Sequence, residues 1–208
     1  MSAHAEPVGH APGHKPDANL HPPPIHYSSR IFPPIVGIFL FIGSEIMLFG
    51  SFFTAYFFIR VVNHEPWPPH GYHLPVFVAG INTLILVTSS FTMHWALHSI
   101  KRNHRAGLCA GLVLTFAMGL TFLLTQITEY SRIGFSPSDN AFATVFFSLT
   151  GLHGMHVFVG LMLLLFATIR SFRGHFSSEM HLGVELPGIY WHFVDVMWIV
   201  VYTTIYIL

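Results

Sequence analysis

Charge is the scarcest component of this chain. Of its 208 residues, 9% are Asp, Glu, Lys or Arg, against about 25% in a soluble domain. With 52% hydrophobic residues and a mean hydropathy of +0.58, that shortage excludes an ordinary soluble globule and implies an integral membrane protein. Lys plus Arg and Asp plus Glu balance at 9 each, and no dense basic tract occurs. A polyanion partner, nucleic acid included, is therefore not expected. The single cysteine, Cys109, excludes an internal disulfide. It also excludes a metal site needing two Cys ligands from this chain and a Cys-x-x-Cys-His haem attachment. The N-terminus is too polar to read as a cleavable signal, and no internal repeat is visible.

What is present falls into two parts. Residues 1–30 read as a flexible, cytoplasmic, His/Pro-rich tail. Its His4, His10, His14, His21 and His26 have spacings that match no closed metal site. Residues 31–208 read as an all-α, polytopic membrane domain of five transmembrane helices in one bundle. The apolar runs lie at about 33–60, 75–98, 107–129, 141–170 and 187–208, each reaching the roughly 20 residues that a span needs. Pro33, Pro34, Pro75 and Pro187 are expected in first turns, where a missing N–H does no harm. Lys15, Arg30, Lys101, Arg102, Arg105, Arg170 and Arg173 fall on one side, Arg60 and Arg132 on the other. The positive-inside rule then places the N-terminus in the cytoplasm and the C-terminus outside, in a bacterial inner membrane.

Small residues predict helix contacts. Gly107, Gly111, Thr115 and Gly119 recur every fourth position on the third helix, and Gly43/Ser44 and Gly50/Ser51 a heptad apart on the first. Glu45 is the only acidic or basic side chain between Pro33 and Phe58, and its neighbour Ser44 suggests that this side of the helix faces protein.

The other ionisable groups expected within or at the edge of the spans are His94, His98, Glu129, His153, His156, His192 and Asp195. His153/His156 and His192/Asp195 are i,i+3 pairs, so each pair shares a helix face. A haem held by His94 with His153 or His156 lacks a second ligand pair. A histidine-box di-iron site built from His94, His98, His153 and His156 places His156 too deep. Transport through Glu45 or Asp195 lacks the broken helices of a transporter. From the residues alone, hydrogen bonding that fixes helix packing is the leading reading. Trp67, Trp191 and Trp198 read as interface or core aromatics.

Five stretches in order carry a resemblance: "WPP" at 67–69, "SSFTMHWALHS" at 89–99, "FLLTQITEY" at 122–130, "TGLHGMHVFVG" at 150–160 and "YWHFVDVMWIVVY" at 190–202. Together they resemble the subunit III family of the haem–copper oxidases over about residues 31–208. "SE" at Ser44-Glu45 and "YWHFVDV" at 190–196 resemble the cytochrome c oxidase branch; the alternative is the quinol oxidase branch, which tends to carry Asp in place of Glu45. Less favoured is a stand-alone haem or transport protein. The resemblance implies a non-redox subunit of a proton-pumping enzyme that passes electrons from cytochrome c to O₂. It implies no catalytic residue, cofactor or metal in this chain, with haem and copper in partner subunits. Expected partners are subunit I directly, subunit II and other oxidase subunits, membrane lipid including structural phospholipid, and a respiratory supercomplex. The family role carried over is support of subunit I stability, sustained turnover and proton uptake. Glu45 is assigned to tuning the proton side or the lipid cleft, and Arg170 and His181 to lipid. His153, His156, His192 and Asp195 are assigned to an intramembrane polar network. Relative to the mitochondrial form the chain lacks two leading helices and carries Thr54 where that form has Trp, which weakens transfer of its lipid contacts.

Overall fold

The computed structural model describes residues 33–63, 66–72 and 74–208; the tail at 1–30 and its five histidines lie outside them. The described chain is all-helical: α1 (Pro33–Val62), α2 (Val76–Lys101), α3 (Arg105–Arg132), α4 (Ala141–Phe172) and α5 (Leu182–Tyr202). A π-helical turn, Thr203–Ile207, continues α5. All five helices are long and apolar enough to cross a membrane.

Polar residues outside the apolar runs cap the starts of α3 and α4. Asn140 accepts the Ala143 N–H at 2.8 Å, and His104 Nδ1 accepts that of Gly107 at 3.2 Å. Each satisfies a backbone donor that the first turn leaves free. Asn103, in the tight α2–α3 turn, has φ 57°, a conformation that Asn tolerates better than most side chains. Its side chain bonds Ser178 twice, at 3.0 and 2.9 Å, tying that turn to the α4–α5 loop. At the opposite end Asn140 bonds the Tyr72 hydroxyl at 2.6 Å, tying the α1–α2 and α3–α4 loops. The loops therefore segregate to two faces, as five alternating spans require.

Helices α2, α3, α4 and α5 form a closed ring, each packed on its neighbours, with the α2–α3 contact the most extensive. Helix α1 sits outside this ring against α4 and α5 and makes little contact with α2. Close approach in the ring follows the small residues of α3. A Cβ on Gly111 would lie 2.7 Å from Ala96 Cβ, and one on Gly107 2.6 Å from Ser99 Oγ. Thr115 meets Thr92 at 2.7 Å, and Gly119 abuts the Trp191 ring. Trp191 is fully buried, also fills the space left by Gly160, and donates to Ser89 Oγ at 2.9 Å.

Two expectations need correction. The Gly43/Ser44 and Gly50/Ser51 stripe on α1 is exposed, and nothing lies within 4 Å of a Cβ at either glycine. The inward stripe is instead Glu45, Phe49, Phe52/Phe53 and Tyr56, an i,i+4,i+7 pattern of large side chains that reach across to α4 and α5. Helix α5 starts at Leu182, five residues before Pro187. Its first turn, Leu182-Gly183-Val184-Glu185, carries one acidic residue, Glu185, which the positive helix N-terminus favours, so the helix starts before the expected apolar run and encloses Pro187. Helix α2 starts at Val76, with Pro75 just before it rather than in its first turn, whereas several other ends run two or three residues beyond the apolar runs, because charged residues such as Lys101, Arg105 and Arg132 continue helices past the hydrocarbon.

Candidate functional site

The intramembrane ionisable groups resolve into two clusters and one isolated histidine. The first cluster joins α1 to α4. Glu45 Oε2 lies 2.8 Å from His156 Nε2, with side-chain exposures of 15% and 11%. His156 Nδ1 lies 2.7 Å from the Leu152 carbonyl oxygen. A carbonyl only accepts, so Nδ1 carries a hydrogen and donates it. Nε2 and the carboxyl then share a single proton, whether as acid and neutral imidazole or as carboxylate and imidazolium. Either form is neutral overall, which suits the middle of a span. Phe49 packs on the His156 ring at 4.9 Å between centroids, and the Tyr190 hydroxyl donates to the His156 carbonyl at 3.3 Å.

The second cluster joins α2 to α5. Ser90 Oγ lies 3.0 Å from His192 Nδ1 and is hydrogen-bonded to Asp195 Oδ2. Asp195 is 4% exposed, and its Oδ1 has no hydrogen-bond partner. His94, one turn from Ser90 on α2, is exposed on the chain and within electrostatic reach of His192.

His153 stands apart from both. It is fully buried, donates from Nε2 to the Val194 carbonyl at 3.1 Å, and packs between Trp198 and Phe122. The i,i+3 spacing therefore brings His192 and Asp195 onto one partner but sends His153 to α5 and His156 to α1. Among the described residues no three His, Cys, Asp or Glu side chains converge as metal ligands.

Arg170 and His181 border the α4–α5 loop. The Arg170 guanidinium lies 5.5 Å from the Phe176 ring centroid, and Phe176 closes on Gly183. His181 precedes α5 and lies 3.6 Å from Glu185. Sequence reasoning missed Ser90, the hydroxyl that couples His192 to Asp195; its signal was a polar residue one turn from His94. It also missed Tyr56, which donates to the Thr204 carbonyl at 3.1 Å and accepts from Trp67 Nε1 at 3.0 Å, closing the C-terminal end of α1 onto the turn that continues α5.

The chain matches the family described as Cytochrome c oxidase subunit III over residues 34–208. It belongs to that family. Similar proteins bear the name "Cytochrome c oxidase subunit 3". One from Thermostichus vulcanus is 44% identical over 175 residues, covering 84% of this chain and 87% of the relative. One from Synechocystis sp. is 43% identical, covering 88% and 77%. The horse protein is 38% identical, covering 82% and 67%. Membership in cytochrome c oxidase subunit III identifies the chain as a multi-pass membrane subunit of an oxidase and implies assembly with other oxidase subunits. Both polar clusters lie within the matched region.

Proposed function

We propose that this chain is the non-redox subunit III of a proton-pumping cytochrome c oxidase. In this reading it binds subunit I directly and assembles with subunit II and the other subunits, up to a respiratory supercomplex. It sustains the stability, turnover and proton uptake of subunit I, whose complex carries electrons from cytochrome c to O₂. The haem and copper belong to partner subunits. The observation that carries the reading is the family match over 34–208. The chemistry of the chain fits a supporting role. His156 has both ring nitrogens engaged, His153 is sealed in the core, and Glu45 is paired across helices.

The cytoplasmic face is taken as the one bearing Lys101, Arg102, Arg105, Arg170 and Arg173, in a bacterial inner membrane with the N-terminus inside. Arg170 is exposed at the end of α4 and held over Phe176, a position from which a guanidinium meets a phospholipid phosphate. His181, near the same loop, lies at the same membrane level. Phospholipid seated there contributes structure rather than chemistry.

Purification through a tag on this chain from native membranes tests the reading. Haem-containing subunit I and cytochrome c oxidase activity are expected to co-purify. Recovery of the chain with no other oxidase subunit, or with a quinol-only oxidase, would overturn it.

A further inference from the structure

Helices α1 and α2 both pack on α5 but make little contact with each other. Between them α5 is left as the floor of a trough. Its outward residues include Val196, 58% exposed, and Ile199, 43% exposed. Near the C-terminal end of α5 the α2–α5 seam opens into a hollow of about 500 Å³ beside Gly80 and Tyr202. On its own such a face is ordinary for a protein in lipid. What sets it apart is the second polar cluster, which reaches its edge.

His192 Nδ1 is engaged with Ser90 Oγ. Its other nitrogen, Nε2, makes no hydrogen bond to a described residue and is not sealed. At about 1.5 Å per residue, His192 lies about 15 Å from the start of α5 and Ser90 about 16 Å from the end of α2. Both therefore sit at mid-span depth, at the same level. A net charge there is costly, so the Asp195–Ser90–His192 chain is neutral. Two arrangements meet that condition without placing the Asp195 proton on Oδ1, which is buried with no partner to accept it. In one, imidazolium Nδ1–H donates to Ser90, which donates to the Asp195 carboxylate. In the other, protonated Asp195 donates to Ser90, which donates to the neutral imidazole at Nδ1. Nε2 carries a hydrogen in both. The trough thus presents an N–H donor at mid-membrane, with the exposed His94 imidazole alongside.

We propose that this trough seats one transmembrane helix of a partner oxidase subunit, and that this helix presents a side-chain acceptor oxygen to His192 Nε2–H. Lipid is the poorer occupant, because an acyl chain accepts no hydrogen bond and water is scarce at that depth. A helix with a carboxylate, amide or hydroxyl oxygen meets the donor, and its side chains fill the hollow beside Gly80. The inference rests on the oxidase-subunit reading and adds which face assembles and through what chemistry.

The test uses the complex purified through a tag on this chain. A photoreactive residue is placed at Val196 on the trough floor, or at Phe158 on the opposite flank of the bundle. The expected result is an adduct from Val196 to a transmembrane segment of a partner subunit, and none to that subunit from Phe158. Adducts from Val196 to lipid alone, or capture of that subunit from Phe158 instead, would overturn the docking. In parallel, His192→Phe and His192→Gln complexes are washed in detergent and the retained partner quantified. His192→Phe is expected to lose about three- to tenfold, the range for one intramembrane hydrogen bond, and His192→Gln, which keeps an N–H donor, to restore it. Unchanged retention in His192→Phe would refute the acceptor. If His192→Phe fails to accumulate, the Val196 adduct, made with His192 intact, still decides the docking. If the wild-type chain brings down no oxidase subunit at all, the functional reading fails and this inference with it.

Discussion

Replacing Glu45 separates a packing role from a chemical one. Helix α1 is the most weakly held of the five. Among its described residues it buries only Phe49 and Tyr56 completely, and it touches the ring chiefly through α4 and α5. Among the described residues the Glu45–His156 bond of 2.8 Å is its one polar attachment to another helix at mid-span. Alanine removes the bond and leaves His156 Nε2 unpaired in a largely buried site, which costs about 1–3 kcal/mol. That corresponds to a shift of about 5- to 150-fold in the equilibrium for loosening α1. Glutamine behaves differently. Because His156 Nδ1 donates to Leu152, neutral Nε2 accepts, and the side-chain amide N–H introduced by Glu45→Gln donates to it at nearly unchanged length. The assay is oxygen consumption by the purified complex, read as initial rate and as decay over repeated turnovers. Glu45→Ala is expected to start at near wild-type rate and decay faster, and Glu45→Gln to behave as wild type in both. An initial rate more than about tenfold lower in Glu45→Ala with intact subunit composition, equivalent to about 1.4 kcal/mol of barrier, would refute this reasoning. So would a Glu45→Gln variant as impaired as Glu45→Ala, because only proton exchange at the carboxyl distinguishes Gln from Glu at this site.

Three further outcomes are expected. A reporter fused after Leu208 is active outside the cytoplasm; activity only inside would reverse the assigned orientation. Gly111→Leu forces a side chain into Ala96 on α2, where a bare Cβ already sits at 2.7 Å, and overpacking of this kind costs about 1–3 kcal/mol or more. Its melting temperature falls, whereas Gly43→Leu, with nothing within 4 Å, leaves the isolated chain as stable as before. Arg170→Gln lowers the phospholipid that co-purifies with the complex, measured by lipid mass spectrometry, while Arg132→Gln on the other face does not.

Five helices were legible because each span has to satisfy its backbone internally and meet lipid with apolar side chains. Those two demands write long runs into the sequence. The α3 stripe was legible for a similar reason: Gly107, Gly111 and Gly119 leave room that only another helix or a large ring fills, and α2 fills it at Gly107 and Gly111 and Trp191 at Gly119. The same reasoning failed on α1. Small residues show where close approach is permitted, but they do not show whether a neighbour within the chain uses the permission. On α1 the large residues Phe49 and Tyr56 reach the ring, and the small ones stay outside. The start of α5 failed for a different reason. An acidic residue such as Glu185 in a first turn favours helix through the positive N-terminus, and hydropathy does not register that.

The polar clusters show the limit most clearly. Sequence spacing orders residues along one helix, whereas a hydrogen bond across a bundle depends on which helix lies opposite. His153 and His156 share the spacing of His192 and Asp195, yet one pair diverges to two neighbours and the other converges on Ser90. The difference lies in the ring, which sets α5 against α4 on the His153 side and leaves α1 to meet His156. An isolated carboxyl or imidazole in a span is costly, so each has to find a partner. At Glu45 the partner is inside the chain, and the proton between Glu45 and His156 makes the pair neutral and self-sufficient. At His192 no partner for Nε2 lies among the described residues, because Ser90 and Asp195 satisfy only Nδ1. A membrane subunit that spends one of its few mid-span polar groups on an outward N–H is chemically unfinished as a monomer, and the trough around that donor is where a second helix would complete it.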